Sequence, residues 1–143
     1  MRRPIGIRLM TLGLLAASTL WVPSLAAPQA MAARAPCADL TVTASPPILP
    51  PGDPETVSGS LTNCSNQIET ITVQARVTGP CGFSMGRSFQ VVLPPGQTVS
   101  RDLTFPAPNC EGIYTGKARA LSQGVVLDQA EASFKVCTNC QQR

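Results

Sequence analysis

The sequence predicts an all-β protein, a seven-stranded β-sandwich held by about three disulfides. Residues typical of turns, chiefly Gly, Pro, Ser, Thr and Asn, recur at intervals of about 8 to 12 residues. The stretches between them are rich in Val, Ile, Thr and Phe, and their polarity alternates with the two-residue period of a half-buried strand. Six cysteines, an even number, lie beyond a hydrophobic N-terminal segment. Together these observations indicate a small exported domain stapled by disulfides.

The N-terminal segment, residues 1–27, has the three parts of a cleaved secretory signal peptide. Residues 2–8 carry three arginines, residues 9–17 are apolar, and residues 24–26 offer the small side chains of a cleavage site, with residues 30–32 as an alternative. The apolar run is shorter than the ~18 to 20 residues that span a bilayer, so we expect no retained membrane anchor. The arginine pair is also found in twin-arginine signals, but those export folded proteins from a reducing cytoplasm, so general secretion is favoured.

Cleavage would leave a flexible lead-in over residues 28–36 and one domain over residues 37–143, in a secreted or periplasmic protein. The whole chain has 11 basic and 8 acidic residues and a formal charge of +3. The three arginines of the signal peptide account for this excess, so the remainder is neutral with dispersed charge. We therefore expect no nucleic acid partner, no membrane insertion after cleavage and no attraction to an anionic membrane.

Seven strands follow the lead-in. They are predicted over residues 39–44, 55–63, 67–78, 87–93, 98–105, 113–122 and 125–136. A proline-rich turn over residues 46–54 reverses the chain after the first strand, and Pro94-Pro95-Gly96 separates the fourth from the fifth. One position breaks the alternation, because Arg101 falls on the otherwise apolar face of the fifth strand.

Several short motifs occur in a recognisable order. They are Asp39-Leu40-Thr41-Val42-Thr43, Pro51-Gly52-Asp53, Gly59-Ser60-Leu61-Thr62-Asn63, Leu93-Pro94-Pro95-Gly96-Gln97 and Gly112-Ile113-Tyr114. In this order the chain resembles the bacterial immunoglobulin-like domains related to cell adhesion, the CARDB-type domains, over residues 39–136. The resemblance implies an immunoglobulin-like β-sandwich. The last motif is similar to a tyrosine corner, in which the phenol of Tyr114 donates a hydrogen bond to nearby backbone.

The six cysteines allow fifteen pairings, which sequence alone does not decide. If the strands alternate up and down, the ends at which the cysteines lie favour three pairs. These are Cys37–Cys64, Cys81–Cys110 and Cys137–Cys140. The last pair also has the Cys-x-x-Cys spacing of a redox centre, but only three residues follow it, so no helix N-terminus can lower a thiol pKa there. A structural tail disulfide is favoured, and a four-cysteine zinc site is disfavoured by export and by the absence of histidine.

No catalytic arrangement is indicated. The chain has no histidine, which excludes Ser-His-Asp and Cys-His nucleophilic sites. The carboxylates, Glu55 among them, are scattered and interpreted as lying in turns and on solvated strand faces. We therefore expect no enzyme, no catalytic residue, no metal site and no cofactor.

The predicted function is a non-catalytic protein-binding or structural module of the bacterial envelope or extracellular space, with an unknown protein partner. The alternatives are a module that binds carbohydrate or an envelope polymer, and a small secreted hydrolase inhibitor. The candidate binding loop spans residues 79–86, where Phe83 and Met85 are apolar residues in a turn-like segment that Cys81 would tether. Alternatively, these two side chains cap the end of the core.

Overall fold

Alternating apolar residues form two β-sheets in the computed structural model, which describes residues 35–140. The strands are β1 (Ala38–Ser45), β2 (Ile48–Leu49), β3 (Pro54–Asn63), β4 (Glu69–Thr78), β5 (Ser84–Leu93), β6 (Thr98–Pro106), β7 (Gly112–Ser122) and β8 (Val125–Val136). One sheet has the order β1-β3-β6 and the other β2-β8-β7-β4-β5. The predicted signal peptide, most of the lead-in and residues 141–143 lie outside the described residues. Residues 35–140 contain no helix with the length and hydropathy of a membrane span.

The all-β sandwich is confirmed, with eight strands where the sequence predicted seven. The additional strand, β2, lies inside the predicted proline-rich turn and pairs in parallel with β8 through Ile48–Lys135 and Leu49–Val136. Prolines on both sides limit it to two residues, so it has no alternation by which to recognise it. In addition, β5 begins at Ser84, three residues before its predicted start.

Two apolar clusters fill opposite ends of the sandwich. One is aliphatic and centres on Leu61 and Ile71. The other is aromatic, with the rings of Tyr114 and Phe134 stacked at a centroid distance of 5.2 Å. The Tyr114 hydroxyl donates a hydrogen bond of 2.7 Å to the carbonyl oxygen of Cys110, as the tyrosine corner implies.

Three disulfides join the predicted cysteine pairs. Cys37–Cys64 links the start of β1 to the end of β3, with the two Cα atoms 5.0 Å apart. Cys81–Cys110 links the turn after β4 to the β6–β7 loop at a Cα distance of 6.3 Å, and Cys137–Cys140 closes a short loop after β8 at 5.6 Å. These Cα distances lie in the ordinary range for disulfides.

The two lateral sides of the sandwich differ. On one side β1 lies against β8, and the Leu40 N–H donates a 2.8 Å hydrogen bond to Asp128 Oδ2 across the two sheets. On the other side β5 and β6 are the edge strands of their sheets and do not pair with each other. The sandwich is therefore joined along one side and open along the other.

Candidate functional site

The predicted binding loop, residues 79–86, packs its apolar side chains against the aromatic cluster. Phe83 is half-buried, with its ring 6.3 Å from that of Phe105 and 5.5 Å from that of Tyr114, measured between centroids. Met85 is also half-buried and packs on the same cluster. A Cβ atom at Gly79 would overlap the Tyr114 ring, so this turn needs glycine in order to approach the core. The loop therefore caps the core, and its role in binding stays a prediction.

This packing predicts that Phe83→Ala lowers the free energy of unfolding by about 2 kcal/mol, less than the 3–5 kcal/mol typical of a fully buried Phe. The measurement is urea unfolding followed by far-UV circular dichroism. Ile113→Ala is the matched control, because Ile113 is 65% exposed and its loss should change the stability by less than about 0.5 kcal/mol. Equal stability of Phe83→Ala and wild type would show that this ring does not support the core.

A second candidate surface is the outer face of the five-stranded sheet, a shallow groove of about 780 Å³. Strand pairing sets its side chains in two adjacent rows that cross β5, β4, β7 and β8. The first row is Ser88, Gln74, Arg119 and Gln129, and the second is Gly86, Arg76, Lys117 and Glu131. We call this surface the cationic groove.

Positive charge predominates in the cationic groove. Three cations lie in its rows against one carboxylate, and Arg87, whose own position on β5 faces the other sheet, also contacts the edge of the groove. Arg76 lies directly opposite Lys117, an unfavourable pairing of like charges within a sheet. Lys117 Nζ is 3.2 Å from Glu131 Oε2, and Arg119 donates a 3.0 Å hydrogen bond to Gln74 Oε1. Among residues 35–140, Arg76 has no carboxylate within ion-pair distance, and its exposed side chain can interact with solvent or a ligand.

The chemistry available in the cationic groove is that of a polar recognition surface. None of the aromatic rings in residues 35–140 lines it, so it has no platform on which a sugar ring could stack. Within the same range, no three His, Cys, Asp or Glu side chains gather where they could hold a metal ion. Guanidinium, ammonium and amide groups can instead pair with carboxylates and similar anions.

Sequence reasoning missed this groove because it expected the charges to be dispersed. The cations in its rows come from β4 and β7, and only the strand order brings them side by side on one face. A partial signal was present, since Lys117 and Arg119 are two residues apart and so lie on the same face of β7.

Glu55 also differs from its predicted environment. Its residue type predicts a solvated carboxylate, whereas the structure buries it completely at the start of β3. Neither carboxyl oxygen has a hydrogen-bond partner among the described residues. Desolvation by burial raises the pKa of Glu55 to about 7, although the nearby Ser45 backbone offsets part of the rise.

The comparisons with known proteins establish the fold. No protein-family model matches the chain, and no curated protein matches it. Among solved structures, the chain is similar to the CARDB domain of a protein from Pyrococcus furiosus, solved in complex with di-metal ions. The two are 17% identical with a TM-score of 0.54, over 70% of this chain and 94% of that domain.

Two enzymes contain a similar domain as part of a longer chain. A β-glucosidase from Erythrobacter marinus is 15% identical with a TM-score of 0.57, over 71% of this chain and 16% of the enzyme. The alkylpurine DNA glycosylase AlkC from Pseudomonas fluorescens was solved bound to DNA with an abasic site analog. It is 14% identical with a TM-score of 0.51, over 71% of this chain and 30% of the enzyme. The chain thus spans a minor part of either enzyme. At these identities the likeness shows a CARDB-like fold.

Proposed function

We propose that this chain, with its CARDB-like fold, is an exported non-catalytic module that binds an acidic segment of a protein partner in the cationic groove. The observation that carries the proposal is the set of three cations against one carboxylate in the two rows of this sheet face. A CARDB-like fold is consistent with a non-catalytic module.

The disulfides support the exported part of the proposal. Cystines persist in oxidising compartments, and the three bridges of this chain indicate an extracytoplasmic setting. The basic and apolar parts of residues 1–27 favour a signal peptide that directs the protein to the periplasm or the medium.

The geometry of the groove suits an extended acidic segment. Arg76 and Lys117 are direct cross-strand neighbours, and Arg119 lies two residues along β7 on the same face. Adjacent strands are about 4.8 Å apart, so successive carboxylates of a partner can each reach a cation. Arginine can bind a carboxylate through two parallel hydrogen bonds. Binding of this kind weakens as salt increases.

A second candidate ligand is an envelope polysaccharide that carries acidic groups. Gln74, Gln129 and Ser88 form a row of amide and hydroxyl groups beside the cations, which suits hydroxylated ligands. The hydrolase-inhibitor alternative depended on a rigid, disulfide-tethered loop such as residues 79–86, with side chains free to enter an enzyme. Because Phe83 and Met85 pack inward, the geometry gives that alternative no support.

The test compares poly-L-glutamate with polygalacturonate as immobilised ligands for the purified protein. We expect the wild type to bind poly-L-glutamate more tightly, and Arg119→Glu to weaken this binding by about tenfold or more. The matched control is Lys135→Glu, which makes the same charge change on β8 outside the groove.

Three outcomes would contradict the proposal. Equal losses in Arg119→Glu and Lys135→Glu would mean that net charge alone drives binding. Tighter binding of polygalacturonate would replace the protein partner by the polysaccharide. No binding of either ligand at low ionic strength would remove the groove as a recognition surface for anions.

A further inference from the structure

The space between the two sheets contains an apolar cleft that the proposed function does not use. Its volume is about 410 Å³, and it lies between the open edges formed by β5 and β6. Most of its lining is aliphatic, and Phe89 and Leu103 are half-buried at its walls. Native interiors have few voids larger than a water molecule, so a cleft of this size is a departure from ordinary core packing.

The sequence produces the cleft by placing small residues at the centre of the inward faces. In the three-stranded sheet the central row is Val42, Gly59 and Arg101. In the facing sheet it is Arg87, Ala75, Ala118 and Ala130. A Cβ atom at Gly59 would meet nothing nearer than the Thr41 carbonyl oxygen, 3.8 Å away. The small side chains of these rows therefore leave space between the sheets on the side of β5 and β6.

The lining of the cleft includes four cations, of which Arg76 and Lys117 belong to the outer face and two arginines lie on the inward faces at the open side. Arg87 on β5 and Arg101 on β6 both occupy inward positions of the alternation, and both are exposed because their strands are edges. Among the described residues, neither has a carboxylate within ion-pair distance. Asp102, the one acidic residue in the lining, is the sequence neighbour of Arg101 and so belongs to the opposite face of β6.

We infer that the cleft binds a single-chain anionic amphiphile, of which a fatty acid is the simplest example. The hydrocarbon chain would lie between the sheets, and the carboxylate would pair with Arg87 and Arg101. The volume falls within the range of about 300 to 1,000 Å³ that is usual for small-molecule sites. The apolar walls would provide the affinity for the hydrocarbon chain, and the polar groups at one end would orient the head group.

The charge at the mouth selects among amphiphiles. An anionic head group gains charge-assisted hydrogen bonds from two guanidinium groups. The two guanidinium groups would repel a cationic head group on the same hydrocarbon chain. An alcohol head group would leave both guanidinium groups without a counterion. The cleft shares part of its lining with the cationic groove, Arg87 included, but Gly59 and Arg101 line the cleft alone and so distinguish the two sites.

The experiment is a titration of the purified protein with saturated fatty acids of increasing length, read by displacement of the fluorescent fatty acid cis-parinaric acid. We expect the affinity to rise by up to about fourfold per methylene and then to level off when the cleft is full. Gly59→Val should abolish binding, because its side chain occupies the cleft without a backbone clash. Arg101→Gln should weaken the binding of dodecanoate by about tenfold and leave the affinity for dodecanol unchanged.

Two controls decide between the cleft and other surfaces. Arg119→Gln alters the cationic groove and should bind dodecanoate like the wild type. Ala75→Val fills the same cleft from the other sheet, so its loss of binding would support the inference even if Gly59→Val fails to fold. Undiminished binding by a folded Gly59→Val or Ala75→Val protein would overturn the inference. So would equal affinity of the wild type for dodecanoate and dodecyltrimethylammonium.

Discussion

Removal of the Cys81–Cys110 disulfide, by Cys81→Ser together with Cys110→Ser, should lower the free energy of unfolding by about 3.5 kcal/mol. The bridge joins residues 29 positions apart, and on the loop-entropy model a cross-link of this span restricts the unfolded chain by that amount. It also fixes Cys110, whose carbonyl oxygen accepts the hydrogen bond of Tyr114. Urea unfolding of the wild type and the double variant measures the difference.

The tail disulfide provides the matched control. Cys137 and Cys140 are three positions apart, so the same model gives their bridge less than half of that effect. The double variant Cys137→Ser with Cys140→Ser should therefore lose at most about 1.6 kcal/mol, and its midpoint should lie between those of the wild type and the Cys81→Ser, Cys110→Ser variant. If the two double variants lost equal stability, closure of a long loop would not be the reason that Cys81–Cys110 stabilises the domain.

The strands could be predicted because each sheet is buried on one face. In β7, for example, the buried residues Tyr114, Ala118 and Ala120 alternate with more exposed ones. This period of two is visible in the sequence even when the partner strands are unknown. The pairing of Cys81 with Cys110 followed from the order of the strands, because strands that run alternately up and down fix the end of the sandwich at which each loop lies. Strand β2 escaped prediction since two residues cannot show a period.

The candidate sites depend on topology and were largely beyond sequence reasoning. Arg76 and Lys117 are distant along the chain and become neighbours only because β4 pairs with β7. Arg101 could be recognised from the sequence as a break in the alternation. The cleft that it lines could not, because it depends on Arg87 in the facing sheet and on the small residues between the two arginines. Glu55 was assigned to solvent by its residue type, although it lies on the same face of β3 as Val57 and Leu61. The period-two alternation along β3 therefore predicts the burial of Glu55 better than its residue type does.

Glu55 should make the domain less stable as the pH rises. Its pKa is raised from 4.5 to about 7 in the folded protein, so below pH 4.5 the carboxyl is protonated in both states and contributes no penalty. Between pH 4.5 and 7 the folded state holds a proton that the unfolded state has released, and stability falls with each step in pH. Above pH 7 the folded protein contains a buried carboxylate, at a cost of about 2 to 3 kcal/mol.

Glu55→Gln tests this dependence, because the amide stays neutral at every pH. Its unfolding free energy at pH 8 should exceed that of the wild type by about 2 to 3 kcal/mol, and the two proteins should converge near pH 4.5. Glu131→Gln is the control, since Glu131 forms an exposed ion pair with Lys117 that contributes at most about 1 kcal/mol. A wild-type curve that stays flat from pH 4.5 to 8 would mean that Glu55 finds a partner or water on ionisation. A falling curve would identify Glu55 as a residue that lowers stability at neutral pH in a domain otherwise held by three disulfides.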